Sequence, residues 1–283
     1  MIFLPNFFVI FSNDFFSLLQ YPFMQRAILG GILMGMLGGL LGCFVTLRQL
    51  SFFSHTVGHA ALVGIAIGLL LGIEPTWTLL PFTLAFGVLV LYLIEQTDLG
   101  TDSVFSIAVS AALAAGVILT SFIKGYQTNL MGVLFGDILA IGNFDLVLIF
   151  GLLVVSSLFL LTTLRQQILI TLNVGVAKVQ GIAVKQHQYL FVVLLSLAVA
   201  VAIKAVGVLL VNAFLVIPAA TAKLVTHQFS RFLTISVLLG ALSSIGGMVV
   251  SGGFNLASGP SIVVVQFLVF LLILGGRKLL ISL

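Results

Sequence analysis

The chain has 283 residues, 61% of them hydrophobic, with eleven Lys and Arg set against seven Asp and Glu. A soluble domain carries about 25% charged residues, whereas this chain carries 6%, too few to solvate a water-soluble fold of its length; lipid is the solvent from which apolar helices need not hide. The net charge of +4 is scattered singly between apolar runs, which says little for nucleic acid, and no nucleic-acid partner is expected.

Residues 1–23 are apolar and aromatic, without the basic start and small-residue cleavage site of a signal peptide. An interfacial or partly inserted segment ending near Tyr21-Pro22 is expected there. Apolar runs of spanning length, about 17–25 residues, then follow almost without interruption. They predict one all-α, polytopic transmembrane domain over residues 1–283 with about nine spans in the lipid bilayer. The first four are 24–47, closed by Arg48-Gln49; 55–73, closed by Glu74-Pro75; 77–94, closed by Glu95-Gln96; and 104–123. Residues 124–143 are mixed, with a short apolar piece assigned to the interface, and 144–164 is the fifth span. Residues 165–188 form the longest polar region. Spans at 189–203 and 206–224 follow, divided by Lys204 and each open to a bend or break, and 232–254 and 260–276 complete the set.

Basic residues give the orientation. With Arg48 cytoplasmic, alternation places Arg165, Lys178, Lys185, Lys223, Arg231, Arg277 and Lys278 beside it, against Arg26, Lys124 and Lys204 outside. The reverse arrangement breaks the positive-inside rule. The expectation is a multi-pass plasma (inner) membrane protein, N-terminus outside and C-terminus cytoplasmic.

Small residues mark helix contacts. Gly31, Gly35 and Gly39 recur every fourth position, with Gly38 and Gly42 offset beside them, and Gly64, Gly68 and Gly72 repeat the spacing in the second span. Such ridges let backbones approach closely in lipid. Cys43, the lone cysteine, excludes an intrachain disulfide and a cysteine metal cluster and reads as a packing residue.

The polar residues inside spans are few. His55-Thr56-Val57-Gly58-His59 opens the second span, and positions i and i+4 share a helix face, so both imidazoles reach toward one point. Counted from Arg48 at about 1.5 Å per residue, His59 lies roughly 16 Å deep, where a titratable side chain is a functional candidate. Imidazole suits zinc and other first-row metals. Two ligands do not close a tetrahedral site, so a second subunit, water or a soluble donor must finish it; the other reading gives each histidine a hydrogen bond to a neighbouring helix. Asn212 either lines a path or bonds another helix. Pro218 removes a backbone donor and is expected to bend or interrupt its helix, and broken helices border transport sites. His187 and His227 fall in expected solvated loops, and Asp137 and Asp145 in expected exposed outer positions.

There is no G-x-x-x-x-G-K-[ST] run, so the chain is not expected to hydrolyse nucleotide, and no H-E-x-x-H pair or G-x-S-x-G elbow, which weakens an intramembrane enzyme. A stand-alone carrier or channel using its histidines remains open at this point; a proton-driven carrier usually holds several intramembrane acids, whereas most acids here lie at predicted span ends.

The run from Leu47 through Arg48-Gln49-Leu50-Ser51-Phe52-Phe53-Ser54-His55-Thr56-Val57-Gly58-His59 to Gly64 resembles the membrane permeases of zinc/manganese/iron ABC importers. So do Val206-Gly207-Val208-Leu209-Leu210-Val211 leading into Ile217-Pro218-Ala219-Ala220-Thr221-Ala222, Leu134-Phe135-Gly136, and Ser258-Gly259-Pro260-Ser261-Ile262-Val263. The resemblance implies an ABC-importer permease that forms a homodimer around one pathway. An extracytoplasmic metal-binding protein delivers the ion, and a separate ATPase chain binds the cytoplasmic face. No permanent cofactor is implied; the metal is cargo. His59 matches the family's histidine, and His55 stands where the family has an acid. That exchange drops a negative charge and leans from manganese toward zinc. Residues 173–181, inside the 165–188 coupling region, resemble the family's ATPase-coupling segment. Ala177 and Gly181 fit it, with Gln180 between them, while Asn173-Val174-Gly175 depart from its usual Asp-Pro-Glu.

Overall fold

The computed structural model describes residues 20–123, 136–208 and 210–281. The expected N-terminal segment up to residue 19, and most of the mixed stretch after Ile123, including Leu134 and Phe135, lie outside the described residues. Among the described residues eleven α-helices follow one another: α1 (Pro22–Leu47), α2 (Phe53–Leu70), α3 (Pro75–Gln96), α4 (Thr101–Ser121), α5 (Asn143–Thr162), α6 (Leu164–Leu172), α7 (Val174–Val179), α8 (Val184–Val206), α9 (Val211–Val225), α10 (Phe229–Phe254) and α11 (Ser258–Ile281). A 3-10 turn, Ile138–Ala140, precedes α5. Among the described residues there is no strand, as lipid requires of a chain that does not close a barrel.

Local chemistry sets the helix ends. Pro22 and Pro75 occupy first-turn positions of α1 and α3, where the missing N–H costs nothing. Asp145 accepts a hydrogen bond from the Gly142 N–H at 2.9 Å and caps α5. Asn255, in the left-handed conformation at φ 53°, closes α10.

Among the described residues eight helices are long and apolar enough to cross a membrane, and α9 is a ninth, shorter apolar helix. Lys204 does not mark the break expected there. Helix α8 runs through it to Val206, and the interruption falls at Gly207, whose φ is 84°. The cause is tertiary: Gly136, itself at φ 64°, lies so close to Val206 and Gly207 that a Cβ would strike their backbone. Two of the motif patches, seventy residues apart, thus meet at one crossing. Nor does Pro218 interrupt α9, which continues through it. Phe214, whose carbonyl would have accepted the missing Pro218 N–H, faces Gly38 of α1, where a Cβ would sit 2.6 Å from that oxygen; this close approach offers weak Cα–H donors in exchange.

Helix α1 is the hub. Gly31, Gly35 and Gly39 face Ser244, Gly240 and Ser236 of α10, whereas Gly38 and Gly42 face Phe214, Leu215 and Ala219 of α9. The Ser236 hydroxyl donates to the Gly39 carbonyl at 2.8 Å across the first seam. Gly64 and Gly68 of α2 pack on α3 at Leu79, Phe82, Pro75 and Thr78. Gly72 does not pack; at φ 68° with open space around it, it turns the chain after α2. The outer helices show lipid-ready faces, with Val117 and Ile118 on α4, Val147 on α5 and Leu272 on α11 exposed.

Polar side chains gather at both ends of the bundle. Lys204 pairs with Asp145 at 2.8 Å at one end, so Asp145 is largely covered rather than an exposed acid. At the other end Tyr189 donates to Glu95 at 3.2 Å and Arg48 meets Gln167 and Thr171.

Candidate functional site

The histidine helix is aimed by a sharp reversal after α1. Gln49 takes φ 58°, Leu50 N–H donates to Val45 O at 2.9 Å, and Phe53 N–H donates to Leu50 O at 2.9 Å. Phe53 then anchors the start of α2 edge-on against Phe105, ring centres 6.3 Å apart. Ser54 donates to the Asn212 side-chain oxygen at 2.6 Å, tying α2 to the first turn of α9, and Gly58 lets Val208 and Val211 into contact. Asn212 therefore makes the interhelical bond, one residue away from His55.

With those faces closed, His55, His59 and Leu62 form a half-buried stripe on a helix that is otherwise buried from Phe53 to Ala66. The two imidazoles stand nearly perpendicular, 84° apart in plane, with centres separated by 4.5 Å. His59 Nδ1 is buried and makes no hydrogen bond among the described residues. Such a nitrogen is either a waiting ligand or an unexplained loss, because an unmade buried hydrogen bond costs about 1–3 kcal/mol. Among the described residues no group of three His, Cys, Asp or Glu assembles here or elsewhere. The pair is a partial coordination sphere. Pro218 is buried within α9. A separate apolar cavity of about 210 Å³ under the Lys204–Asp145 pair contains neither histidine.

At the opposite end α6 and α7 form a compact ledge. The Asn173 side chain accepts from Val176 N–H at 3.1 Å, doing the capping that an Asp would do at this departure from the family pattern. Gly181, at φ 76°, closes α7: its N–H donates to Lys178 O at 3.0 Å, and Ile182 N–H to Ala177 O at 3.1 Å, the paired bonds of a Schellman end. Ala177 is buried against Ile170 and Val184, so it forms the floor of the ledge. Gln180 is exposed. The most outward apolar groups are Val179, 90% exposed, and Leu172, 77% exposed, with Val174 and Val176 beside them; Leu172 lies outside the 173–181 pattern and was missed in the sequence.

Gln167 was missed as well, hidden in the segment read as the longest polar region. It is fully buried. Its Oε1 and backbone oxygen accept from Arg48 Nη2, while its Nε2 lies 3.3 Å from His187 Nδ1. His187 is accordingly half-buried in the first turn of α8, with its ring stacked on Phe159 at 6.2 Å, and is not a solvated loop residue. Burial pushes the Arg48 guanidinium down to about 10, which leaves it cationic at neutral pH. A polar chain His187–Gln167–Arg48 thus runs from the ledge to the reversal that aims α2.

An all-helical polytopic bundle of this kind, with a half-open histidine stripe on one inner helix and a capped ledge between two spans, is that of a multi-pass membrane protein. The profile of the ABC 3 transport family matches residues 20–276. The chain is 32% identical over 260 residues to the high-affinity zinc uptake system membrane protein ZnuB of Haemophilus influenzae, covering 92% of this chain and 99% of that one. It is 34% identical over 256 residues to the manganese import system permease protein ScaB of Streptococcus parasanguinis, covering 90% and 91%. Among solved structures, PsaBC from Streptococcus pneumoniae in complex with Fab superposes with a TM-score of 0.81 at 30% identity, over 93% of this chain and 94% of that one. The chain belongs to the ABC 3 transport family, and its fold is that of an ABC-importer permease.

Proposed function

We propose that the chain is the membrane permease of an importer for a divalent first-row metal, zinc first and manganese second, with His55 and His59 contacting the ion in transit. The observation that carries this reading is the stripe: two imidazoles 4.5 Å apart on a half-open face, one with a buried nitrogen that has no partner among the described residues. Relatives named for zinc and for manganese support both metals. With His55 at the position resembling the family's acid, the pair lacks a carboxylate and is softer than a carboxylate–imidazole pair, which favours zinc.

A two-ligand half-site calls for more donors, and a second copy of the chain supplies two more imidazoles by symmetry. The proposal therefore includes a homodimer with the stripes facing one pathway, an extracytoplasmic metal-binding protein delivering the ion, and separate ATPase chains docking on the α6–α7 ledge through Leu172, Val176, Val179 and Gln180. The ledge faces the cytoplasm, which puts the N-terminus outside and the C-terminus inside. Asn212 and Pro218 bear on the pathway through α9, Asn212 by holding the start of α2.

The test is metal uptake in a strain lacking other importers. His59→Ala should reduce zinc uptake by about 10²-fold, the upper end of the loss seen when even a group supporting a metal ligand is removed, with normal membrane level and an unchanged melting temperature. His55→Asp should raise the manganese-to-zinc uptake ratio. Wild-type zinc uptake by His59→Ala at normal expression would sink the assignment.

A further inference from the structure

Arg48 lines an opening of about 370 Å³ between the α1–α2 reversal and helices α3, α6 and α8. Its guanidinium is held by neutral groups. Nε donates to Thr171 Oγ1 at 3.1 Å, Nη2 donates to both oxygens of Gln167, and the Phe191 and Phe44 rings lie 4.6 and 5.6 Å from its carbon. Among the described residues the one ion pair is Lys204–Asp145 at the far end, and Nη1 makes no hydrogen bond. A covered guanidinium without an anion forgoes the partner that best offsets its desolvation, and its free edge has the fork geometry that matches phosphate.

We propose that this opening binds the phosphate group of an anionic phospholipid. The rest of the lining fits the two halves of such a molecule. Gln49 and Gln188 stand with Arg48 and Thr171 on the polar side, whereas Leu91 and Ile94 of α3 form an apolar side, suited to glycerol and acyl carbons. Gln49 is held in the left-handed conformation at φ 58°, a cost that tends to be met where function fixes the backbone, and the reversal it makes keeps both Arg48 and Gln49 on this opening. Depth agrees. Helix α1 has 26 residues, about 39 Å at 1.5 Å each, against a hydrocarbon core of about 30 Å, so the residue after its end sits at headgroup level. The orientation proposed above makes that the cytoplasmic leaflet, where anionic lipid concentrates. The site uses neither histidine and stands whether or not the chain carries metal.

The experiment is native mass spectrometry of the full chain in detergent with dioleoyl phosphatidylglycerol or dioleoyl phosphatidylcholine, which share acyl chains and differ in charge. Wild type should retain phosphatidylglycerol about tenfold better, the scale of one charge-assisted hydrogen bond. Arg48→Met should abolish the preference. Ile94→Trp, which fills the apolar side and leaves Arg48 and its bonds in place, should abolish it too, and covers the case in which Arg48→Met does not fold. Equal retention of the two lipids by wild type, or a preference unchanged in Ile94→Trp, overturns the proposal. A thermal shift with inorganic phosphate alone, without lipid preference, overturns the lipid as the source and leaves a soluble oxyanion.

Discussion

Helices α1 and α2 are neighbours in sequence, similarly apolar and similarly punctuated by glycine, yet they are used in opposite ways. Every paired glycine of α1 closes a gap, and the serines facing it are satisfied: Ser236 donates to Gly39 O and Ser244 to Gly240 O. On α2 one face closes in the same manner, through Gly64 and Gly68 on α3, while the face bearing His55 and His59 stays half open with a nitrogen unsatisfied. Lipid supplies no hydrophobic force between helices, so close approach and interhelical hydrogen bonds hold the bundle together. A polar group that contributes to neither has no stability reason to be there. Arg26 Nε and Thr46 Oγ1 of α1 also lack a partner among the described residues, but on α2 the orphaned atom belongs to one of two imidazoles standing side by side, on the face proposed above to line the pathway.

The contrast is broken most severely by filling the scaffold seam. A Cβ at Gly42 overlaps the Leu215 carbonyl, and one at Gly35 overlaps Gly240, backbone atoms that no rotamer change can move. Gly42→Leu and Gly35→Leu should each destabilise by about 3 kcal/mol or more, at or beyond the usual cost of overpacking, and remove the protein from the membrane. The check is membrane level together with the melting temperature of whatever protein is recovered. His59→Ala, by contrast, should leave both unchanged. Normal levels for both glycine variants would mean that α1 is not the hub.

What could be read from sequence follows the same division. Period-four glycines report a seam directly, because only helical spacing puts them on one face, and the Gly31 and Gly38 rows did go to two different partners. The histidine pair was legible for the same reason. The Arg48–Gln167 contact was not, since it joins residues 119 apart and Gln167 sits in a segment whose polarity suggested exposure; its amide is instead satisfied inside. The break near residue 204 was placed on a charge, whereas the backbone turns at Gly207 because Gly136 presses on it. Ala177 matched the coupling pattern, but six residues of helix are too few for periodicity to say which side faces in.

The ledge sharpens the comparison, since it too pairs a closed face with an open one. Ala177→Glu would bury a carboxylate against Ile170 and Val184 and should unfold α7 locally, at a cost of several kcal/mol unless the group is protonated. Val179→Glu places the same charge on a side chain that is 90% exposed and should leave stability within about 0.5 kcal/mol. It should nonetheless lower co-purification of the ATPase and stop uptake. Hydrogen exchange across residues 170–184 reads the first effect and pull-down the second. Val179→Glu with full ATPase retention and uptake would move the docking surface elsewhere.

The smallest effect belongs to the ion pair at the far end. Lys204 and Asp145 meet at 2.8 Å, but the lysine side chain is 51% exposed and the aspartate 14%, so water and salt screen much of the attraction. Exposed pairs contribute about 0.2–1 kcal/mol, and Lys204→Ala should fall within that range. Asp145 has a second task, accepting the Gly142 N–H at 2.9 Å at the start of α5, and loss of a cap costs about 1 kcal/mol. Asp145→Ala should therefore destabilise more than Lys204→Ala. The two differ in salt response as well. Raising salt from about 0.05 M to about 0.5 M shortens the screening length severalfold and should erase the difference between wild type and Lys204→Ala, while the part of the Asp145→Ala deficit due to the cap persists. Melting temperatures of the purified protein at both salt concentrations make the measurement. Equal, salt-insensitive losses in the two variants would show that the pair acts as a shielded structural bond across α5 and α8, not as a screened contact at the rim.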